Sequence, residues 1–147
     1  MKKTGIMILS VLILSCSTTK TQNQEPMSKE NEKITAVING FSAAGDINNV
    51  KKLNVFLDDN YRVVMNRLFG SKTVSVMSKE EYLEKIETKV FGGDTRVVTV
   101  EKIMVNGSTA VAKVIFKGEK ATFHSLMTLL KDESGSWKLA SDIPILK

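Results

Sequence analysis

Residues 96–116, RVVTVEKIMVNGSTAVAKVIF, decide how this chain folds. Two runs rich in β-branched residues flank Asn106-Gly107, a dipeptide typical of a two-residue hairpin turn. Such a loop pairs Ile103 with Ala110 and puts Glu101 on the same face as that pair. We therefore predict an antiparallel hairpin with one apolar face.

Two more strands are predicted after this hairpin. Gly118-Glu119 offers a second tight turn before residues 123–131, FHSLMTLLK, and a third turn precedes Trp137. Alternation within FHSLMTLLK places Ser125 on the apolar face and His124, the single histidine, on the opposite face. The C-terminal half is therefore expected to form a four-stranded meander.

The region before the hairpin predicts helices and a strand pair. Apolar residues recur at helical spacing in a first helix, which Gly45 ends: Ile34, Val37, Ile38 and Phe41. Asp46 is expected to cap a short second helix with Ile47, Val50 and Leu53 facing inward. Asp58-Asp59-Asn60 is interpreted as a turn, and strands are predicted over residues 61–68 and 73–77.

A third helix is predicted to begin at a capping box. In Ser78-Lys79-Glu80-Glu81 the Ser78 hydroxyl can accept from the Glu81 amide, and the Glu81 carboxylate can reach back. Its buried face would comprise Tyr82, Leu83, Ile86 and Val90, and Gly92-Gly93 would end it. The element order predicts an α+β fold of antiparallel strands with the helices gathered on one face.

The chain resembles the nuclear transport factor 2-like superfamily, and within it the small bacterial lumazine-binding-like and polyketide cyclase-like proteins. The resemblance rests on Ala44-Gly45-Asp46, the capping-box segment through Tyr82, the strand FHSLMTLLK and Gly135-Ser136-Trp137-Lys138-Leu139. It implies a cone in which a curved antiparallel sheet wraps around the N-terminal helix. Three helices would lie on its concave side and leave a pocket.

Four residues are candidates for binding a ligand in that pocket: Glu101, Ser125, Tyr61 and Trp137. A carboxylate on an apolar face, such as Glu101, would have a raised pKa and suits an acid, a base or a ligand anchor. Pairing with a lysine or placement at a sheet edge are the structural alternatives for Glu101. Relatives commonly have a His-Pro step where Phe56-Leu57 stands, and an Asp where Ser125 stands. Both departures take ionisable groups out of the expected pocket.

The remaining chemistry-bearing residues predict no catalytic, metal or cofactor site. His124 has no orienting partner in the predicted register, and Asp58-Asp59 lacks the spacing of a calcium loop. With Cys16 assigned to lipid, no cysteine remains for a disulfide, a thiol nucleophile or a metal. No basic stripe predicts nucleic-acid binding.

The N-terminus predicts export and lipidation. Lys2-Lys3 precede an apolar run too short for a membrane span, and Ile13-Leu14-Ser15-Cys16 resembles the bacterial lipobox. Residues 1–15 are therefore interpreted as a signal peptide. Residues 16–28 would be a lipidated, flexible tether, and residues 29–147 the domain. Cleavage lowers the net charge from +5 to +3.

These expectations combine into an envelope lipoprotein with a non-catalytic cone domain that binds a small apolar or amphipathic ligand. In a host with two membranes, Ser17 after the cysteine favours the outer membrane, facing the periplasm. The alternatives are an isomerase or cyclase with Glu101 as proton shuttle, and a protein–protein adaptor with a filled pocket. A homodimer is expected through an apolar row on the outer sheet face: Val98, Val100, Val111, Ile115, Leu126 and Leu130.

Overall fold

A computed structural model describes residues 28–147, which form three helices, one 3₁₀ turn and six strands. The helices are α1 (Lys29–Asp46), α2 (Val50–Asn54) and α3 (Lys79–Glu87). The strands are β1 (Leu57–Asn66), β2 (Val74–Ser78), β3 (Val97–Asn106), β4 (Thr109–Lys117), β5 (Thr122–Lys131) and β6 (Trp137–Leu146). The element order is the predicted one. The predicted signal peptide, Cys16 and all but the last residue of the tether lie outside the described residues.

The strands form one curved, unclosed sheet in the order β2-β1-β6-β5-β4-β3, and the α+β fold class is confirmed. Neighbouring strands are antiparallel except β1 and β6, which run parallel. The prediction of a wholly antiparallel sheet is wrong at this pair. The strand that lies next to β1 is β6, the last strand of the meander. It runs in the same direction as β1, so this pair is parallel.

The concave side of the sheet holds the core. The predicted face of α1 is confirmed, since Ile34, Ile38 and Phe41 are buried there. These side chains pack against the inward residues of β4, β5 and β6 and against Ile86 of α3. Residues 28–147 thus bury a core of their own.

The second helix starts later than predicted. Asn49 caps α2 by accepting from the Lys52 amide at 2.9 Å, whereas Asp46 is the last residue of α1. The expectation that Ile47 faces inward is wrong, because it lies in the turn between the helices and is 68% exposed. Asp46 instead turns its carboxylate toward Arg96.

Asp58-Asp59-Asn60 lies within β1 rather than in a turn before it. The pairing of β1 with β6 shifts between Leu57 and Arg62, so these residues form a bulge in the strand. The Asp58 carboxylate accepts from the Asn60 amide at 2.9 Å, a local turn-like bond that replaces a ladder bond.

The capping box of α3 is confirmed. The Ser78 hydroxyl accepts from the Glu81 amide at 3.2 Å, and the Ser78 amide donates to the Glu81 carboxylate at 2.7 Å. The helix ends at Glu87, before the predicted glycine pair. Val90 therefore lies beyond the helix and is 62% exposed, contrary to the predicted buried face.

Both hairpins are shifted by two residues from the predicted register. Ile103 pairs with Ala112 rather than Ala110, because Asn106 pairs with Thr109 and the loop is Gly107-Ser108. Likewise Phe116 pairs with Phe123 rather than Ala121. A shift of two residues leaves β4 and β5 with their predicted faces, because side chains alternate with period two.

A bulge in β3 changes the face of the residues before it. The pairing with β4 shifts between Val100 and Lys102, so Glu101 is an extra residue. Val98 and Val100 consequently pack against the core and do not belong to the outer face, where we had predicted them. No helix within residues 28–147 combines the length and the hydropathy that a membrane span requires.

Candidate functional site

The cone encloses an open cavity of about 270 Å³ between the concave sheet, α3 and the loops at one end of the sheet. Aliphatic and aromatic side chains make up most of its wall, as in many small-molecule sites. The wall includes six aromatic residues and three polar ones: Phe41, Phe69, Tyr82, Phe91, Phe116, Phe123, Arg96, Ser125 and Asp142.

Hydrogen bonds and a close backbone contact hold the mouth of the cavity. Asn48 has a positive φ of 53°, and its Nδ2 donates to the Ile86 and Phe91 carbonyls at 2.9 and 2.7 Å. A Cβ on Gly92 would lie 2.3 Å from the Gly45 carbonyl oxygen, so the chain passes there only because Gly92 has no side chain. The end of α3 is therefore fixed against the end of α1.

Two polar side chains with buried, unpartnered oxygen atoms line the apolar cavity. Ser125 and Asp142 are 2% and 8% exposed, and Ser125 Oγ and Asp142 Oδ1 are buried and unpartnered in the part of the chain described. The residues are diagonal neighbours on β5 and β6, since Ser125 pairs with Pro144 and Met127 with Asp142. Both side chains therefore lie on the same inner face.

A bulge in β6 brings Asp142 to this face. Leu129 pairs with Leu139 and Thr128 with Ser141, so Ala140 is an extra residue. Trp137 and Leu139 face inward before the bulge, and Asp142 and Pro144 do so after it. Without the bulge, alternation would send Asp142 to the outer face.

The surroundings of Asp142 favour its neutral form. Burial raises the pKa of Asp142 to about 7, against smaller opposing effects of the Ser125 hydroxyl and the Arg96 guanidinium. An acid with this pKa changes its charge near neutral pH, which is the property required of a proton donor, a proton acceptor or a switchable anchor.

Two tyrosines lie close to this acid. Tyr61, on β1, is 1% exposed, its hydroxyl has no partner among the described residues, and its ring centroid is 5.4 Å from that of Tyr82. Burial raises the pKa of both phenols well above the usual value, and the Asp142 charge adds to the effect. Both tyrosines therefore remain neutral hydrogen-bond donors at any physiological pH.

Arg96 and Lys120 both line the cavity, and the charge of Arg96 is paired with Asp46. Its Nε donates to Asp46 Oδ1 at 2.6 Å, and its Nη2 donates to the Ser42 carbonyl at 3.1 Å. Its guanidinium carbon lies 5.1 Å from the centroid of the Phe116 ring. These contacts hold Arg96 as a structural bridge between α1 and the start of β3.

The structure brings two of the four sequence candidates together with Asp142. Ser125 lines the cavity, and Tyr61 lies behind it, against Tyr82 and Phe41. Trp137 lies elsewhere: its Nε1 donates to the Glu30 carboxylate at 2.8 Å, near the N-terminus of α1. Their roles in ligand binding remain predictions.

Glu101 does not share the apolar cavity, contrary to the predicted face. The β3 bulge exposes Glu101, and its carboxylate lies 3.0 Å from Lys113 Nζ. Pairing with a lysine was one of the two structural alternatives for this residue. It borders a separate, more polar hollow between α1 and β3, together with Asn31, Thr35 and Asn39.

Sequence reasoning missed Asp142 and treated the pocket as depleted of ionisable groups. An aspartate surrounded by apolar residues in the last strand, SDIPIL, was the available signal. The β6 bulge hides that signal. Strict alternation from Trp137 and Leu139 predicts that residues 141 and 143 face inward, and it places Asp142 on the outer face. Within residues 28–147, no group of three or more His, Cys, Asp or Glu side chains is placed to hold a metal ion.

Comparison with known proteins identifies the family. The sequence model of the putative lumazine-binding family matches residues 29–143. Among curated proteins, no sequence matches this chain.

Solved structures share the fold at low identity. A nuclear transport factor 2-like protein of unknown function from Silicibacter pomeroyi has a TM-score of 0.71 and 17% identity, over 84% of this chain and 100% of that one. One from Shewanella baltica has a TM-score of 0.69 and 17% identity, over 80% and 94%.

A ketosteroid isomerase-like protein from Erwinia carotovora has a TM-score of 0.61 and 16% identity, over 81% of this chain and 97% of that one. The fold is thus that of the nuclear transport factor 2-like superfamily, as the sequence resemblance predicted. The family match covers nearly the whole described region, and the chain belongs to the putative lumazine-binding family.

Proposed function

We propose that the cone domain is a binding module for a small, mostly apolar ligand that carries one polar group. The observation that carries this proposal is the open, largely apolar cavity with two buried, unpartnered oxygen atoms, Ser125 Oγ and Asp142 Oδ1, on its wall. Burying polar atoms without partners costs stability, so their retention in a cavity is explained by a ligand that satisfies them. A cone filled by its own side chains would have favoured the adaptor alternative.

Native mass spectrometry of the domain, purified from its own host, tests this proposal. We expect a small molecule to be retained by the wild type and lost from Ser125→Phe, whose ring fills the cavity. Ile47→Phe is the matched control, because it adds the same ring on the exposed turn after α1. Equal retention by Ser125→Phe, or an empty wild type, would contradict the proposal.

The cellular part of the proposal is a lipoprotein anchored in the envelope through Cys16, facing the periplasm in a host with two membranes. It is supported by the lipobox-like run before Cys16, in a chain with no other cysteine. Metabolic labelling with a fatty acid should label the wild type, and Cys16→Ala should lose both the label and membrane association. A labelled Cys16→Ala protein would contradict this assignment.

A homodimer through the outer sheet face is the proposed assembly. Leu126, Ile143 and Ile145 are 46%, 38% and 53% exposed on neighbouring strands, next to Ile115. Leu126→Lys should give a monomer in analytical ultracentrifugation, whereas Ile47→Lys, on the opposite side of the core, should not. A monomeric wild type would exclude the dimer.

A second candidate function, an isomerase or cyclase, is favoured by one observation. Asp142 has a pKa raised to about 7 in an apolar cavity, which suits a carboxyl group that moves a proton at neutral pH. This role was first considered for Glu101, which is exposed. Deuterium exchange at the carbon next to the carbonyl of a cyclic ketone, abolished in Asp142→Asn, would support it. Exchange that is unchanged by Asp142→Asn would exclude it.

A further inference from the structure

The charges around Asp142 limit the kind of ligand that can enter. Within residues 28–147, no lysine, arginine or histidine forms a salt bridge with Asp142. The nearest cation, Arg96, is bound to Asp46 at 2.6 Å and to the Ser42 carbonyl at 3.1 Å. That pairing cancels most of the Arg96 charge, so Arg96 neither neutralises Asp142 nor strongly repels a second cation.

The other groups that face Asp142 are neutral. Ser125 lies beside it on β5, and Tyr61 on β1 and Tyr82 on α3 stay protonated because burial raises their pKa values. At the mouth, Asp94 accepts from the Glu119 and Lys120 amides at 3.1 Å, and Lys120 Nζ donates to the Gly93 carbonyl at 3.1 Å. These bonds hold the turn at the mouth, and Lys120 keeps its positive charge there because its acceptor is a neutral carbonyl.

Aromatic rings surround this unpaired acid. The cavity wall includes six of them: Phe41, Phe69, Tyr82, Phe91, Phe116 and Phe123. Ring faces attract cations, and a carboxylate with aromatic walls is a favourable setting for an ammonium group. An anionic ligand would meet the Asp142 charge inside the cavity, where Arg96 is already paired with Asp46 and the Lys120 ammonium is bound to the Gly93 carbonyl at the mouth.

From this arrangement we infer that the cavity takes a small hydrophobic amine, whose ammonium group pairs with the Asp142 carboxylate while its hydrocarbon part packs among the rings. The inference rests on the proposed binding function and names its ligand class. The free energy that it costs to remove Asp142 from water is part of folding and not of binding. An ammonium group that binds therefore gains electrostatic attraction without adding the desolvation cost of the carboxylate. Ser125 Oγ and the Tyr61 hydroxyl are the nearest further polar groups.

The sign of the pH dependence separates an amine from a neutral ligand. Binding of an amine requires ionised Asp142, so affinity should rise as the pH passes through the Asp142 pKa of about 7. Between pH 6 and pH 8 the ionised fraction increases about tenfold, and the affinity should increase by the same factor. A ligand that accepts a hydrogen bond from the neutral acid should show the opposite trend.

Isothermal titration of residues 28–147 with three probes that share one ring system tests the inference. The probes are naphthylmethylamine, naphthylmethanol and naphthylacetic acid. At pH 8 we expect the amine to bind at least tenfold more tightly than the other two. Asp142→Asn should abolish this preference, and Glu101→Gln, a carboxylate variant outside the cavity, should leave it intact.

Each outcome has a definite meaning. Tighter binding of the alcohol or of the acid, or an amine affinity unaffected by Asp142→Asn, would overturn the amine inference and leave the binding function standing. Binding of none of the probes would overturn both. Circular dichroism of Asp142→Asn establishes that it is folded.

Discussion

The two ends of the cone contain similar chemical groups with opposite hydrogen bonding. Near the N-terminus of α1, the Trp137 Nε1 donates to Glu30 at 2.8 Å, and Lys131 pairs with the same carboxylate at 2.6 Å. At the cavity, the Tyr61 hydroxyl and Asp142 Oδ1 have no partner among residues 28–147. Each end has an aromatic donor and a carboxylate, yet only the first end connects them.

This difference distinguishes a structural polar cluster from a binding site. The cluster of Trp137, Glu30 and Lys131 satisfies its own atoms, and it fixes the start of α1 on the sheet. The polar groups at the cavity are buried although some of their atoms lack hydrogen bonds. A fold tolerates this loss where a bound molecule supplies the missing hydrogen bonds. Two further unpartnered hydroxyls, Thr35 and Ser42, lie on α1, where a rotated hydroxyl can reach the carbonyl one turn earlier.

The largest effect is expected at the satisfied end. Trp137 is 3% exposed, so Trp137→Ala should lower the free energy of unfolding by about 3–5 kcal/mol in urea denaturation. Phe123→Ala, at the half-buried cavity wall, is the matched aromatic control and should cost about 1–2 kcal/mol. Equal losses would contradict the assignment of Trp137 to structure and Phe123 to the cavity.

The next effect has the opposite sign and depends on pH. The folded-state pKa of Asp142, about 7, lies above the ordinary aspartate value of 3.8, so the folded state keeps a proton that the unfolded state releases between these values. Stability should therefore fall as the pH rises from about 4 to 7. Asp142→Asn should raise the free energy of unfolding by about 2–4 kcal/mol at pH 8 and hardly change it at pH 4.

Urea denaturation at both pH values measures this difference. A loss of stability in Asp142→Asn at pH 8 would show that the carboxylate has a counter-ion in the folded protein. The two ends of the cone would then be alike, and the comparison would fail.

A smaller gain is expected from removing the unpartnered phenol. Tyr61→Phe keeps the ring in the core and deletes a buried hydroxyl that has no hydrogen bond. The free energy of unfolding should stay level or rise by about 1 kcal/mol, since an unsatisfied buried group is costly. If the free energy of unfolding of Tyr61→Phe, measured by urea denaturation, is lower by about 1 kcal/mol, the hydroxyl is hydrogen-bonded in the folded state.

The smallest effect belongs to Glu30. Hydrogen bonds from Lys131, Lys33 and Trp137 lower the pKa of Glu30 from 4.5 to about 2. Its ionised form thus stabilises the fold above pH 4.5, and this contribution is lost as the pH falls toward 2. Glu30→Gln should slightly lower the melting temperature at pH 6, with a difference that shrinks toward pH 2. A constant difference would contradict the charge-based explanation.

Local patterns in the sequence predicted the architecture well. Helical spacing located α1, the capping box located the start of α3, and the alternation in β4 and β5 assigned their faces correctly despite hairpins shifted by two residues. These features depend on neighbours in the chain. A shift of two residues is invisible to a pattern of period two, which is why the register was wrong and the faces were right.

The candidate site was harder to predict because two bulges exchange carboxylates between faces. The extra residue in β3 takes Glu101 out of the apolar face, and the extra residue Ala140 in β6 brings Asp142 into it. A bulge changes the phase of alternation for the residues on one side of it. Its position depends on contacts with the neighbouring strand, which are not encoded as a local motif.

The parallel pairing of β1 with β6 has a consequence for how the molecule acquires its structure. In the sheet, β1 joins the meander through β6, so the pairing that attaches β1 and β2 to the other strands forms only after β6 has been made. Contacts between distant parts of a chain slow folding, because a long loop must close before they form. We therefore expect β1 and β2 to join the sheet late in folding, after the meander has formed.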